Sequence, residues 1–92
     1  MKISLNSNPD KDVYTVGKAT DNDIVIVDMS VSRKHGVFTK QPDGSWLYQD
    51  TSKNGTTILT PSSIGVYVHN RTIRIKTPCQ LLLGASVLEV TA

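Results

Sequence analysis

Two short polar stretches carry the side chains of this chain best suited to hold an anion. Ser32-Arg33-Lys34-His35 is the first, and Asp50-Thr51-Ser52-Lys53-Asn54-Gly55-Thr56 is the second. Together they hold three cations (Arg33, Lys34, Lys53), several hydroxyls, one amide and a glycine. Cations supply attraction, while hydroxyl and amide donors supply direction. A hydrogen bond to a charged oxygen contributes roughly 1.5–3 kcal/mol. That combination fits a phosphate-sized group. Ser32, His35 and Asp50 also offer the residue types of a hydrolase triad. No nucleophile elbow accompanies them, and a sandwich this small leaves little room for an enclosed cleft. The expectation is a binding module with no catalytic residue and no enzyme activity.

The elements between the stretches decide whether they meet. Gly36-Val37-Phe38-Thr39-Lys40 and Ser45-Trp46-Leu47-Tyr48-Gln49 are rich in β-branched and aromatic residues, and Gln41-Pro42-Asp43-Gly44 between them has turn chemistry. This spacing predicts a hairpin whose two ends return to the same side, bringing stretches 18 positions apart into one loop cluster. Further β-like runs cover residues 2–5, 12–16, 57–59, 66–68, 72–75, 80–83 and 87–90. Ile24-Val25-Ile26-Val27 reads as a strand buried on both faces. Helix signals are nearly absent. Ten to eleven short strands without crossover helices predict an all-β fold, an antiparallel β-sandwich with its ligand loops at one end.

Ninety-two residues bound the chain to one domain, residues 1–92, with a core that needs no staples. The single cysteine, Cys79, excludes an internal disulfide and reads as a small apolar strand residue, compatible with a cytoplasmic or other reducing compartment. No run approaches the roughly 20 apolar residues of a membrane span, and no signal-peptide pattern opens the chain. The chain opens with methionine and stops just after a strand-like run, the expectation for an excised N-terminal module. Residues before Met29 carry three basic and five acidic side chains; those from Met29 onward carry seven and three. The bias could steer an anionic peptide, yet it is no basic stripe with aromatic platforms, so nucleic acid is not the expected partner.

With its motifs in view, the sequence resembles the forkhead-associated (FHA) domain, a family of phosphothreonine-peptide readers. The family's Gly-Arg, Ser-x-x-His and Asp-x-Ser-x-Asn-Gly-Thr correspond here to Gly17-Lys18, Ser32-Arg33-Lys34-His35 and Asp50 through Thr56, in order. The resemblance implies that Ser32 donates to the phosphate and that Arg33 contacts ligand backbone or phosphate. It places Lys53 where relatives carry a second hydroxyl donor. It implies that Asn54 bonds the ligand's main chain, its amide offering donor and acceptor together. Lys18 replaces the family arginine, keeping the charge and losing the bidentate fork. Gly17, His35, Asp50, Ser52, Gly55 and Thr56 are implied as structural support, with His35 bracing the loops from beneath. The implied partner is a phosphothreonine-containing protein or peptide, a substrate of a Ser/Thr kinase, bound by a monomeric module without cofactor, metal, nucleic acid or membrane. A second reading keeps the fold and makes it a phospho-independent assembly domain.

The sequence departs from the family where a second asparagine follows Asn-Gly-Thr closely: Leu59 stands at that distance, and Val68-His69-Asn70 comes only after a longer segment. Either the segment is an insertion or the turn is rebuilt. Ser30, Val31, Lys34 and the Thr60–Ser63 segment are candidates for reading residues around the phosphothreonine.

Overall fold

Alternation of apolar and polar residues over short runs, punctuated by turn residues, yields ten strands in the computed structural model. It describes residues 1–92, the side chains of Ser63 and Ile64 excepted. The strands are β1 (Lys2–Ser4), β2 (Val13–Gly17), β3 (Ile24–Val25), β4 (Gly36–Lys40), β5 (Trp46–Asp50), β6 (Thr56–Thr60), β7 (Ser63–Val68), β8 (Thr72–Ile75), β9 (Cys79–Leu83) and β10 (Ser86–Thr91). They form two five-stranded sheets, ordered β1-β10-β9-β6-β7 and β3-β2-β4-β5-β8. Six of the eight pairings are antiparallel; the edge strands β1 and β3 run parallel to β10 and β2.

The inward faces carry the alternating apolar residues. Phe38 and Tyr48, cross-strand partners on β4 and β5, pack with their rings tilted at 53° and 5.0 Å between centroids. Val16, Leu81, Leu83, Leu88 and Val90 complete a fully buried centre. Burying each such side chain is worth about 1.5–3 kcal/mol, which fixes strand register because a one-residue slip would turn every one of them outward.

The run at Ile24 behaves differently from its sequence expectation. Only Ile24 and Val25 pair, along β2 at the sheet edge, and Val27 is 89% exposed. In a two-sheet sandwich a strand has only one face toward the core, so the continuous apolar run alternates after all: Ile24 and Ile26 point inward, Val27 into water.

Candidate functional site

The predicted hairpin forms as β4 and β5, and its register places Gly36 opposite Asp50. The two polar stretches therefore leave the sheet side by side. A backbone bond from the Thr51 N–H to the His35 carbonyl, 3.0 Å, continues the pairing, and the Thr51 hydroxyl donates to Lys34 O at 2.9 Å.

A third segment joins them. At the end of β2 the Lys18 N–H donates to Ser32 O (3.0 Å), and the Ala19 N–H to Arg33 O (3.2 Å). Gly17 lies so close to this backbone that a Cβ there would fall on the Arg33 carbonyl. Asn22, which the motifs did not single out, clamps the same carbonyl: its Nδ2 donates to Arg33 O and to Ala19 O, both at 2.8 Å. No spacing rule marks a loop asparagine eleven positions from its partner, so only the folded chain reveals it.

His35 is completely buried beneath these loops. Its Nδ1 accepts the Ser32 N–H at 3.1 Å, which leaves Nε2 as the protonated nitrogen, donating to Gly55 O at 3.0 Å. Burial depresses its pKa, opposed by the Gly55 carbonyl and the Asp50 charge, so the ring is held neutral.

Asp50 organises the second stretch. One oxygen accepts the hydroxyls of Ser52 (2.7 Å) and Thr56 (2.8 Å); the other accepts the N–H of Ser52 (3.2 Å) and of Asn70 (2.9 Å). Burial alone would raise this carboxyl. The donors from Asn70, Ser52 and Thr56 outweigh it and hold the group below its ordinary range. Tyr48 completes the network, its hydroxyl 2.8 Å from Thr56 Oγ1. Asn70, whose part the sequence left open, has φ 53° and turns β7 into β8 so that its N–H reaches Asp50.

Above this frame lie the groups facing solvent. The Lys53 N–H donates to Ser32 Oγ at 3.0 Å, so the Ser32 hydroxyl proton is left to point elsewhere. Among the described residues, the side chains of Lys18, Arg33, Lys53 and Asn54 make no hydrogen bond or ion pair within the chain. Arg33, Lys53 and Asn54 are exposed and Lys18 is half-buried. Lys34, counted with the cations in sequence, is instead engaged by Asp21 at 2.7 Å.

The geometry bears on the suggested specificity positions. Val31 is buried at 2% exposure and presents nothing to a ligand. Ser30 is spent on the fold: its hydroxyl donates to Asp28 (2.5 Å) and accepts the Ala85 N–H (3.0 Å). The Thr60–Ser63 segment turns at the far end of β6, about 15 Å of strand away from the loops; the Ser63 side chain lies outside the described residues. A cleft of about 640 Å³, lined by Ile3, Leu59, Pro61, Pro78 and Val90, is also at that far end. No group of three or more His, Cys, Asp or Glu comes together among the described residues to hold a metal ion.

The FHA domain family profile matches residues 14–87, spanning all three loops and both sheets. This chain belongs to the FHA domain family. Solved FHA domains superpose on it. The FHA domain of CT664 from Chlamydia trachomatis is 28% identical, with a TM-score of 0.65 over 82% of this chain and 70% of that one. The N-terminal FHA domain of Rad53p from S. cerevisiae, solved with a phosphothreonine peptide, is 24% identical, with a TM-score of 0.66 over 80% of this chain and 57% of that one. The MEK1 FHA domain, solved with a phosphothreonine peptide of HOP1, is 23% identical, with a TM-score of 0.64 over 77% and 72%. No curated protein sequence matches the chain.

Proposed function

We propose that the three-loop end of this FHA domain binds a phosphothreonine-containing protein segment, the product of a Ser/Thr kinase, as a recognition module in signalling or regulated assembly. The observation that carries the reading is the state of Ser32. Its oxygen accepts the Lys53 N–H, which leaves its hydrogen free to donate to a ligand, and the side chains of Arg33 and Lys53 on the same loops make no ion pair among the described residues. Ser32 then donates to the phosphate, and Arg33, Lys53 and Lys18 add charge. Asn54, with donor and acceptor on one planar group, reads the ligand main chain without reading its sequence. That other FHA domains were solved with phosphothreonine peptides supports this assignment.

The same hydrogen bonds argue against hydrolysis. A triad needs the imidazole facing the serine hydroxyl and a carboxylate behind it. Here His35 takes the Ser32 backbone N–H on one nitrogen and gives its proton to Gly55 O on the other. Asp50 faces Ser52 and Thr56, with its nearer oxygen 3.9 Å from His35 Nε2.

The deciding experiment is calorimetric titration with one peptide in phosphorylated and unphosphorylated form. Binding of the phosphothreonine form alone is expected. Equal binding of both forms would instead make this a phospho-independent assembly domain. Exchanging phosphothreonine for glutamate should abolish most of the affinity, since a planar carboxylate offers about one charge where phosphate offers nearly two.

A further inference from the structure

The segment that separates this sequence from its family pattern returns to the binding end in an unexpected way. Tyr67 pairs with Thr57 across the β6–β7 hairpin and stands 55% exposed on the surface. Its hydroxyl donates to the Asn54 carbonyl at 2.7 Å, and its ring lies against Gly55, where a Cβ would collide with ring and hydroxyl. Two residues on, His69 packs tilted against Tyr67 at 6.0 Å between centroids and places Nε2 3.2 Å from Ser52 O. Arg71 donates to the Tyr67 carbonyl at 3.1 Å, tying the strand end down.

The turn carrying Asn54 is thus held from both sides. From within, the Ser52 hydroxyl accepts the Gly55 N–H (2.7 Å) and His35 donates to Gly55 O. From outside, Tyr67 reaches the Asn54–Gly55 peptide plane through the Asn54 carbonyl, alone among the described residues. Water would satisfy an exposed carbonyl equally well, so this bond adds little to global stability. What it does add is orientation: it restricts rotation of the peptide unit from which the unpartnered Asn54 amide projects.

We propose that Tyr67 is a positioning residue for Asn54, pre-setting the backbone so that the amide meets the ligand main chain without an ordering cost at binding. The inference rests on the phosphothreonine reading of the same site.

The test uses a fluorescein-labelled phosphothreonine peptide, selected on the parent protein from an oriented phosphothreonine library, titrated against parent, Tyr67→Phe, Asn54→Ala and the double variant. Tyr67→Phe keeps the ring and loses only the hydroxyl; it should weaken Kd about 3- to 10-fold with an unchanged melting temperature. Placed on Asn54→Ala, it should cost nothing further, because the group it positions is gone. In the free protein, hydrogen exchange at the Gly55 amide should quicken in Tyr67→Phe. Parent-like affinity, losses that multiply in the double variant, or unchanged exchange would each overturn the role. Failure of the parent to prefer phosphorylated over unphosphorylated peptide would remove the ligand reading, and the role of Tyr67 with it; faster exchange in Tyr67→Phe would then mark a brace without a binding function.

Discussion

Ser32 and Lys18 address the phosphate through different physics, and their variants should differ accordingly. Ser32 is a directional donor. Ser32→Ala should weaken a phosphothreonine peptide about 10- to 100-fold, the loss of one bond to a charged group. Stability should change little, since the freed Lys53 N–H belongs to an exposed residue and water can satisfy it. Equal affinity in parent and variant would remove Ser32 from the site. Lys18 is a mobile charge on a loop whose backbone is fixed to Ser32 O. Surface charge is screened over roughly 8 Å at physiological salt. Lys18→Ala should therefore weaken binding and flatten its salt dependence, while Lys18→Arg should tighten it by about 1 kcal/mol through a two-pronged grip. Titrations at low and high salt separate these outcomes; no change in either variant makes Lys18 a bystander.

Between elements, the contacts end on backbone groups, and this explains why a glycine and a histidine matter more than their chemistry suggests. Gly17 ends β2 against the Arg33 carbonyl. Gly17→Ala must push the Ser32–Arg33 segment away from β2, at about 1–3 kcal/mol for an overpacked contact, and should lower stability and phosphopeptide affinity together. His35 ties the two signature loops from below. His35→Ala leaves the Ser32 N–H and the Gly55 carbonyl unpaired in a buried site and should lower the melting temperature on the order of 10 °C. Thermal unfolding followed by circular dichroism checks both. Lost affinity at unchanged stability in His35→Ala would make the histidine a contact residue instead of a brace.

The whole molecule records the same network as a pH dependence. His35 is held neutral, with its pKa below the ordinary value of 6.5, so the unfolded chain binds its proton more readily. Its contribution is complete above about pH 6.5 and is lost as pH falls toward the folded value. The Asp50 carboxyl is likewise depressed below 3.8, and its contribution disappears as pH falls further. Both contributions have the same sign. Stability measured by urea unfolding should be level near neutrality, decline below about pH 6.5, and fall again below about pH 4. A curve flat from about pH 7 to 5 would show that His35 is not held neutral.

Much of this fold was legible because alternation and turn chemistry are local. Residues 36–49 announced a hairpin with Pro-Asp-Gly at its tip, but equal strands 36–40 and 45–49 would set Gly36 against Gln49; the turn keeps Ser45, bonded to the Gln41 N–H, and so sets Gly36 against Asp50. The motif residues could be named from type and order. Other features depended on where distant backbone came to rest. Ile24–Val27 carries the composition of a strand covered on both faces, yet the two-sheet packing covers only one and so decided which side chains it buries. Asn22 meets Arg33, and Asn70 meets Asp50, through partners that no period or spacing connects. Tyr67 looked like one more strand aromatic. The length of β6 and β7 carries it back to Asn54, because a hairpin returns its end to its beginning. The sequence by itself determined which side chains are available to hold a phosphate. Tertiary structure decided which of them are left free to do so: hydrogen bonds across the sandwich engage Lys34, Ser30 and His35 and leave Ser32, Arg33, Lys53 and Asn54 facing solvent.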